Sequence, residues 1–179
     1  IGELLNDMTQ CEGVGAYNSM FDFKKALPFT DLYLSKVYAP DFADWMEYQN
    51  KAIDAIATGK RFDTEKEFEG DVFRFRGQVF PLFDVWGLAC KHILNCDEYK
   101  GMCKDNGWVT ASGKYYKTSA ETAFRFVNCE QDFQESHTAL DDAMIESVLF
   151  AECMRRAKKK IEMGIIYFPF KMLGEVRVE

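Results

Sequence analysis

A short apolar segment that leads directly into a helical pattern most limits the folds open to this chain. The segment 12–16 fits a buried strand, and Asn18 marks a turn after it. Residues 21–27 then follow a helical pattern, which Pro28 ends. Strands that lead into helices through short loops are typical of α/β proteins. The pattern therefore predicts an α/β fold with a buried sheet flanked by helices.

Other segments extend this prediction. Alternating apolar residues in 71–80 around Gly77 predict a β-hairpin, and a helical pattern begins at Pro81. Thr118, with Glu121 three residues later, predicts a helix that opens with a capping box. Further helices are predicted at 1–10, 41–58, 97–106 and 137–160, the last with an apolar face of Ala139, Leu140, Ala143, Met144, Val148, Leu149 and Met154.

Length and charge exclude some classes of protein. The 179 residues fit one domain, and the apolar content is high enough for a packed core. A net charge of −7 excludes a protein that holds nucleic-acid phosphates with a basic surface on all sides. It leaves open a locally basic site or one bridged by metal ions. Because the sequence has no uninterrupted apolar run of about 18 residues, we expect a cytoplasmic protein with no membrane span.

The six cysteines raise the questions of disulfides and of zinc. A chain of this length can form its core without disulfides, so we expect free thiols. Cys90, His92, Cys96 and Cys103 are close in sequence, but they are irregularly spaced and contain no C-x-x-C pair. This spacing is not typical of a structural zinc site.

Two short polar segments are the clearest candidates for chemistry. Asp22 lies where the predicted strand meets a helix, and His137 and Asp142 lie at the start of the last long helix. Five residues of helix correspond to about 7.5 Å of rise at ~1.5 Å per residue. A carboxylate could then hold a divalent cation while the imidazole reaches a metal-bound water. Taken singly, these residues also have structural explanations, as helix caps or as charges at the helix N-terminus.

Taken together, the two segments resemble motifs of a known family. Asn18-x-x-Phe21-Asp22 and His137-x-x-x-x-Asp142 match, in order, the second and third motifs of the DEDDh exonucleases. This family includes the proofreading subunits of bacterial replicases. The letters around the third motif agree as well, in the run His137-Thr138-Ala139-Leu140-Asp141-Asp142-Ala143.

The resemblance implies a ribonuclease H-like fold, with a mixed sheet flanked by helices. It also implies a 3′–5′ exonuclease that uses two Mg²⁺ or Mn²⁺ ions to hydrolyse the 3′ end of single-stranded DNA or RNA. Asp142 and Asp22 would be metal ligands, and His137 would be the general base. Phe21 would contact the terminal nucleotide, and Asn18 would order the loop beside it. A second copy of the chain, or a replication or repair protein, is the expected protein partner.

The match is incomplete, which leaves a second function open. Nothing in 1–17 supplies the family's first motif, Asp-x-Glu on a buried strand. Asp63-Thr64-Glu65 has the right letters but follows the second motif, so we expect the missing strand upstream of Ile1. The stretch 35–80 is longer than the family's usual link and is interpreted as an insertion within a single exonuclease-like domain, 1–179. The alternative is a catalytically silent ribonuclease H-like module that binds nucleic acid or a protein.

Overall fold

The computed structural model describes residues 2–27, 68–69, 72–75, 78–158 and 161–176. The predicted helix at 41–58, Asp63-Thr64-Glu65 and most of the proposed insertion lie outside these ranges. No helix within them has both the length and the apolar character needed to cross a bilayer.

Four strands form one mixed sheet in the order β1-β4-β3-β2. Their bounds are β1 Val14–Ala16, β2 Phe68–Glu69, β3 Val72–Phe75 and β4 Gln78–Asp84. β1 pairs in parallel with β4, and β3 is antiparallel to both β2 and β4. The antiparallel pairing of β3 with β4 confirms the predicted hairpin, and the sheet with its flanking helices gives an α/β architecture. Because β1 and β4 are parallel, Ala16 and Asp84 lie side by side at the carboxyl edge of the sheet.

The described residues also form several α-helices. They are α1 Gly2–Thr9, α2 Ser19–Phe21, α3 Val85–Ala89, α4 Asp97–Asp105, α5 Ala120–Asn128 and α6 Ala139–Arg156. α2 continues as a π-helical segment, Asp22–Ala26, and α3 continues as another, Cys90–Leu94. A short 3₁₀ helix, Pro169–Leu173, lies near the end of the chain.

The predicted start of a helix at Pro81 is wrong, because the strand continues to Asp84. Phe80 and Leu82 are buried while Val79 and Pro81 are exposed. This alternation has the period of a strand, and the helix begins only after Asp84.

The predicted capping box at Thr118 is also wrong. Ser119 is the N-cap of α5, and its hydroxyl accepts from the amide of Thr122. The Thr118 hydroxyl instead accepts a 2.9 Å hydrogen bond from the indole nitrogen of Trp86. Glu121 forms an ion pair with Arg125 one turn further along the helix. Both side chains of the predicted capping box therefore have other partners, Trp86 for Thr118 and Arg125 for Glu121.

The main core lies between α3, α4, α5 and α6. Its fully buried members include Leu88, Ile93, Leu94, Tyr99, Leu149 and Cys153. A smaller cluster joins α1 to the sheet through Met8, Phe23, Phe80 and Leu82. Between β1 and α6, the ring of Phe83 stacks on Phe150 at 4.5 Å. The Phe83 ring also covers Gly15, where a Cβ atom would lie 2.1 Å from it, so β1 requires glycine at this position.

The apolar face predicted for the last helix is only partly correct. α6 packs through Ile145, Leu149 and Cys153. Leu140 and Met144, which were predicted to pack, are 72% and 57% exposed. Within each of these two sets, the apolar residues are spaced four apart. The sequence pattern therefore does not determine which set faces the core.

Candidate functional site

The loop after β1 is fixed by a buried serine. The Ser19 hydroxyl accepts from the amide of Ala16 at 3.0 Å and lies 2.9 Å from the carbonyl oxygen of Phe83, to which it donates. It therefore ties the end of β1 to β4. Asn18, just before it, is exposed and has a left-handed backbone with φ 71°. Asparagine tolerates this conformation better than most residues, which suits the loop-ordering role expected of it.

Asp22 is the first residue of the π-helical segment after α2. It is half-buried, and burial raises the pKa of its carboxyl group above the usual value. It lines a groove of about 550 Å³ between α1, β1 and the π-helical segment, together with Leu4, Met8, Val14, Phe23 and Leu27. Phe21, immediately before it, is 53% exposed. The end of β1 thus presents a carboxylate and an exposed ring next to each other.

Three potential metal ligands come together at the start of α6. One ligand atom from each of Glu135, His137 and Asp142 lies within 4.8 Å of the others. His137 Nδ1 is 3.8 Å from a carboxylate oxygen of Glu135. Among the described residues, this is the one such group of His, Cys, Asp and Glu side chains.

The geometry of His137 differs from the prediction. His137 precedes the N-cap residue Thr138 and has a left-handed backbone with φ 56°, so it is not part of the helix. The helical rise between His137 and Asp142 therefore does not apply. The turn of the chain at His137 directs the imidazole back towards the first turn of α6, which is why it lies close to the Asp142 carboxylate.

The acidic side chains of this group interact unfavourably in the absence of a cation. Burial, and then the negative charge of Asp142, raises the pKa of Glu135, while His137 lowers it. Asp142 Oδ1 is buried and has no hydrogen-bond partner. An unpaired buried carboxylate oxygen is costly, so the site favours a positively charged ligand.

The pKa of Glu146 responds to the charges of Asp22 and of this group. Glu146 lies one helical turn after Asp142 and is half-buried. Its pKa is raised to about 7, mainly by burial; the backbone amide of Tyr17 lowers it, and the charges of Asp22, Asp142 and Glu135 add to the rise. Asp22 is not within the 4.8 Å group, but its charge acts on the same carboxylate as the other two. We call Asp22, Glu135, Asp142 and Glu146 the acidic cluster.

A further buried carboxylate, Asp84, lies behind the cluster at the carboxyl edge of the sheet. It is 2% exposed, and burial raises the pKa of its carboxyl group. Backbone amides of Ser19, Trp86, Gly87 and Ile166 partly offset this rise, and the resulting pKa is about 6. The Asp84 carboxylate thus interacts with three segments, which are the loop after β1, the start of α3 and the segment after α6.

Sequence reasoning missed three of these carboxylates. Glu146 was not among the candidate residues, although its position four residues after Asp142 places both on one side of a helix. That spacing could have identified it. Glu135 lies in an irregular segment with no periodic pattern to place it, and Asp84 was hidden by the wrong helix start. The expected free thiols are confirmed for all six cysteines.

Comparisons of the chain with protein-family models, with curated proteins and with solved structures found no match.

Proposed function

We propose that this protein is a metal-dependent 3′–5′ exonuclease that acts on single-stranded ends of DNA or RNA. The observation that carries the proposal is the acidic cluster itself. Glu135 and Asp142 lie in one group of potential metal ligands with His137, Glu146 follows one helical turn after Asp142, and the charge of Asp22 acts on Glu146. A cluster of carboxylates next to an imidazole is suited to hydrolysis assisted by divalent cations.

The donor set fits Mg²⁺ or Mn²⁺. These cations prefer carboxylate oxygens, and the cluster offers four carboxylates. Burial, and then the charges of neighbouring carboxylates, raise the pKa of Glu135 and of Glu146, and a bound cation would remove the repulsive part of this penalty. The unpartnered Oδ1 of Asp142 has no competing hydrogen bond to break. When bound, a pair of such ions stabilises the attacking and leaving oxygens of a phosphodiester.

The remaining residues have roles that follow from their positions. The side chain of His137 is 77% exposed, so water can reach the imidazole, which can accept a proton from it. Phe21 presents an exposed ring beside Asp22, where it can contact a terminal nucleoside. Asn18 orders the loop that positions both. Asp22 and Asp142 are the metal ligands of the proposal, and Glu135 and Glu146 complete the donor set.

The architecture and the cysteines agree with this proposal. A ribonuclease H-like fold has a mixed sheet flanked by helices, and here β1 lies parallel to β4 while β4 and β3 form a hairpin. We include this fold in the proposal. All six thiols are free, which suits the reducing environment of the cytoplasm.

A catalytically silent ribonuclease H-like module is the second candidate. The observation that favours it is the place of Asp22, which lies outside the group of ligand atoms within 4.8 Å of one another. Residues 2–17 also contain no Asp-x-Glu. Such a module would keep the acidic residues but would bind nucleic acid or a protein without cutting it.

Matched oligonucleotides labelled at the 3′ or at the 5′ end separate the two candidates. With Mg²⁺ or Mn²⁺, we expect early loss of the 3′ label and a ladder of shortened products from the 5′-labelled strand. Excess chelator should stop both. Deoxyribose and ribose versions identify the sugar. Intact label with either cation would favour the silent module, and internal cuts without a ladder would contradict exonuclease action.

A further inference from the structure

A group of exposed aromatic and basic side chains lies near the end of the chain. Tyr167 and Phe168 are 64% and 61% exposed, which is unusual for large rings. Lys171 Nζ lies 4.6 Å from the centre of the Phe168 ring. We call Tyr167, Phe168 and Lys171 the tail patch. Beneath it, Phe168 contacts Phe170 edge-on, so the exposed rings are supported by an ordered aromatic neighbour.

The tail patch is held at the carboxyl edge of the sheet. Gly164 donates a 2.6 Å backbone hydrogen bond to Leu82 and forms a parallel bridge with Phe83. The amide of Ile166 faces Asp84, and so does that of Ser19 in the loop after β1. The residue before the tail patch and the loop that leads to Asp22 thus contact the same buried carboxylate.

The charge of the tail patch differs in its surroundings from that of the two arginines at the end of α6. Within the ranges that the structure describes, Lys171 makes a cation–π contact and no ion pair. Arg155 and Arg156 on α6, by contrast, are both paired with Glu152. Lys171 therefore keeps its charge for a phosphate group. Exposed rings next to an unpaired cation match the bases and phosphates of a single strand.

We propose that the tail patch binds single-stranded nucleic acid upstream of its 3′ end. Bases stack on Tyr167 and Phe168, and Lys171 contacts the backbone between them. This deepens the proposed exonuclease function, on which its biological role rests. The recognition is independent of sequence, because every base offers a flat face to an aromatic ring.

The test is fluorescence anisotropy with the full chain and a short fluorescein-labelled oligodeoxythymidylate in excess chelator. Each of Tyr167→Ala and Phe168→Ala is expected to raise Kd about tenfold. Phe168→Tyr, which keeps a flat ring, is expected to bind as wild type does. Lys171→Gln should reduce the slope of log K against log salt concentration by about one, which corresponds to the loss of one phosphate contact. The control is Leu140→Ala, another exposed apolar side chain, which should leave Kd unchanged.

The chelator separates this inference from the exonuclease proposal. Binding that falls with both ring substitutions supports the tail patch even if Mg²⁺ produces no hydrolysis. Active hydrolysis with unchanged Kd in both variants would overturn the tail patch alone. A wild-type chain that does not bind the oligonucleotide would also overturn it. Equal loss of binding in Phe168→Ala and Leu140→Ala would do the same, because it would indicate a general effect of exposed apolar surface.

Discussion

Replacement of Asp142 by Asn is expected to slow release of the 3′ nucleotide by about 10²- to 10³-fold or more. The substitution keeps the size of the side chain but removes its negative charge. Asp142 Oδ1 is buried without a hydrogen-bond partner, and its carboxylate lies close to Glu135 and His137. An amide in this place is a much weaker cation ligand. The measurement is the initial rate of loss of a 3′ label at saturating Mg²⁺.

The adjacent residue supplies a matched control. Asp141 carries the same side chain on the same helical turn, but its carboxylate accepts hydrogen bonds from Ser136 at 2.5 Å and Thr138 at 2.8 Å. These bonds lower the pKa of Asp141. Asp141→Asn is therefore expected to keep most of the activity, since its role is local. If the two substitutions reduced the rate equally, the assignment of Asp142 as a cation ligand would be wrong.

Replacement of Glu146 by Gln is expected to change the pH dependence of stability. The folded-state pKa of Glu146, about 7, lies above the ordinary value of 4.5 for a glutamate side chain. Its contribution to stability is thus fully present below about pH 4.5 and is lost as the pH rises through about 7. Glutamine stays neutral at every pH. The variant should therefore become more stable than wild type as the pH rises. The expected gain is about 2 kcal/mol near neutral to alkaline pH, after allowance for solvent screening.

Urea unfolding in excess chelator, at acidic and at alkaline pH, measures this difference. Glu152→Gln is the control on the same helix, because hydrogen bonds from Arg155 and Arg156 lower the pKa of Glu152 to about 2. That variant should be less stable than wild type at both pH values. A stability difference between Glu146→Gln and wild type that does not change with pH would contradict the raised pKa of Glu146.

The sequence predicted where two candidate residues lie relative to regular structure. Asp22 follows a short apolar strand, and Asp142 lies in the first turn of a capped helix, as the patterns indicated. Glu135 could not be placed, because its position depends on an irregular segment and on the left-handed turn at His137. No propensity rule predicts which side of that turn faces Asp142.

The fold shows the same limit. The β3–β4 hairpin was predictable because alternation around a glycine is a local signal. The helix start after Asp84 and the cap at Ser119 were not, since both depend on contacts between distant segments. Thr118 illustrates this, because its hydroxyl binds Trp86, which lies 32 residues earlier in the chain. The tertiary contact replaces the local capping interaction that the sequence suggested.

Calorimetric titration with Mn²⁺ most directly tests whether Asp22 and Asp142 share one ion cluster. The comparison uses wild type, Asp22→Asn, Asp142→Asn and the double variant. Wild type is expected to bind Mn²⁺, each single variant to bind at least tenfold more weakly, and the double variant to lose less than the product of the two factors. No Mn²⁺ binding by wild type, or two losses that simply multiply, would contradict a shared cluster.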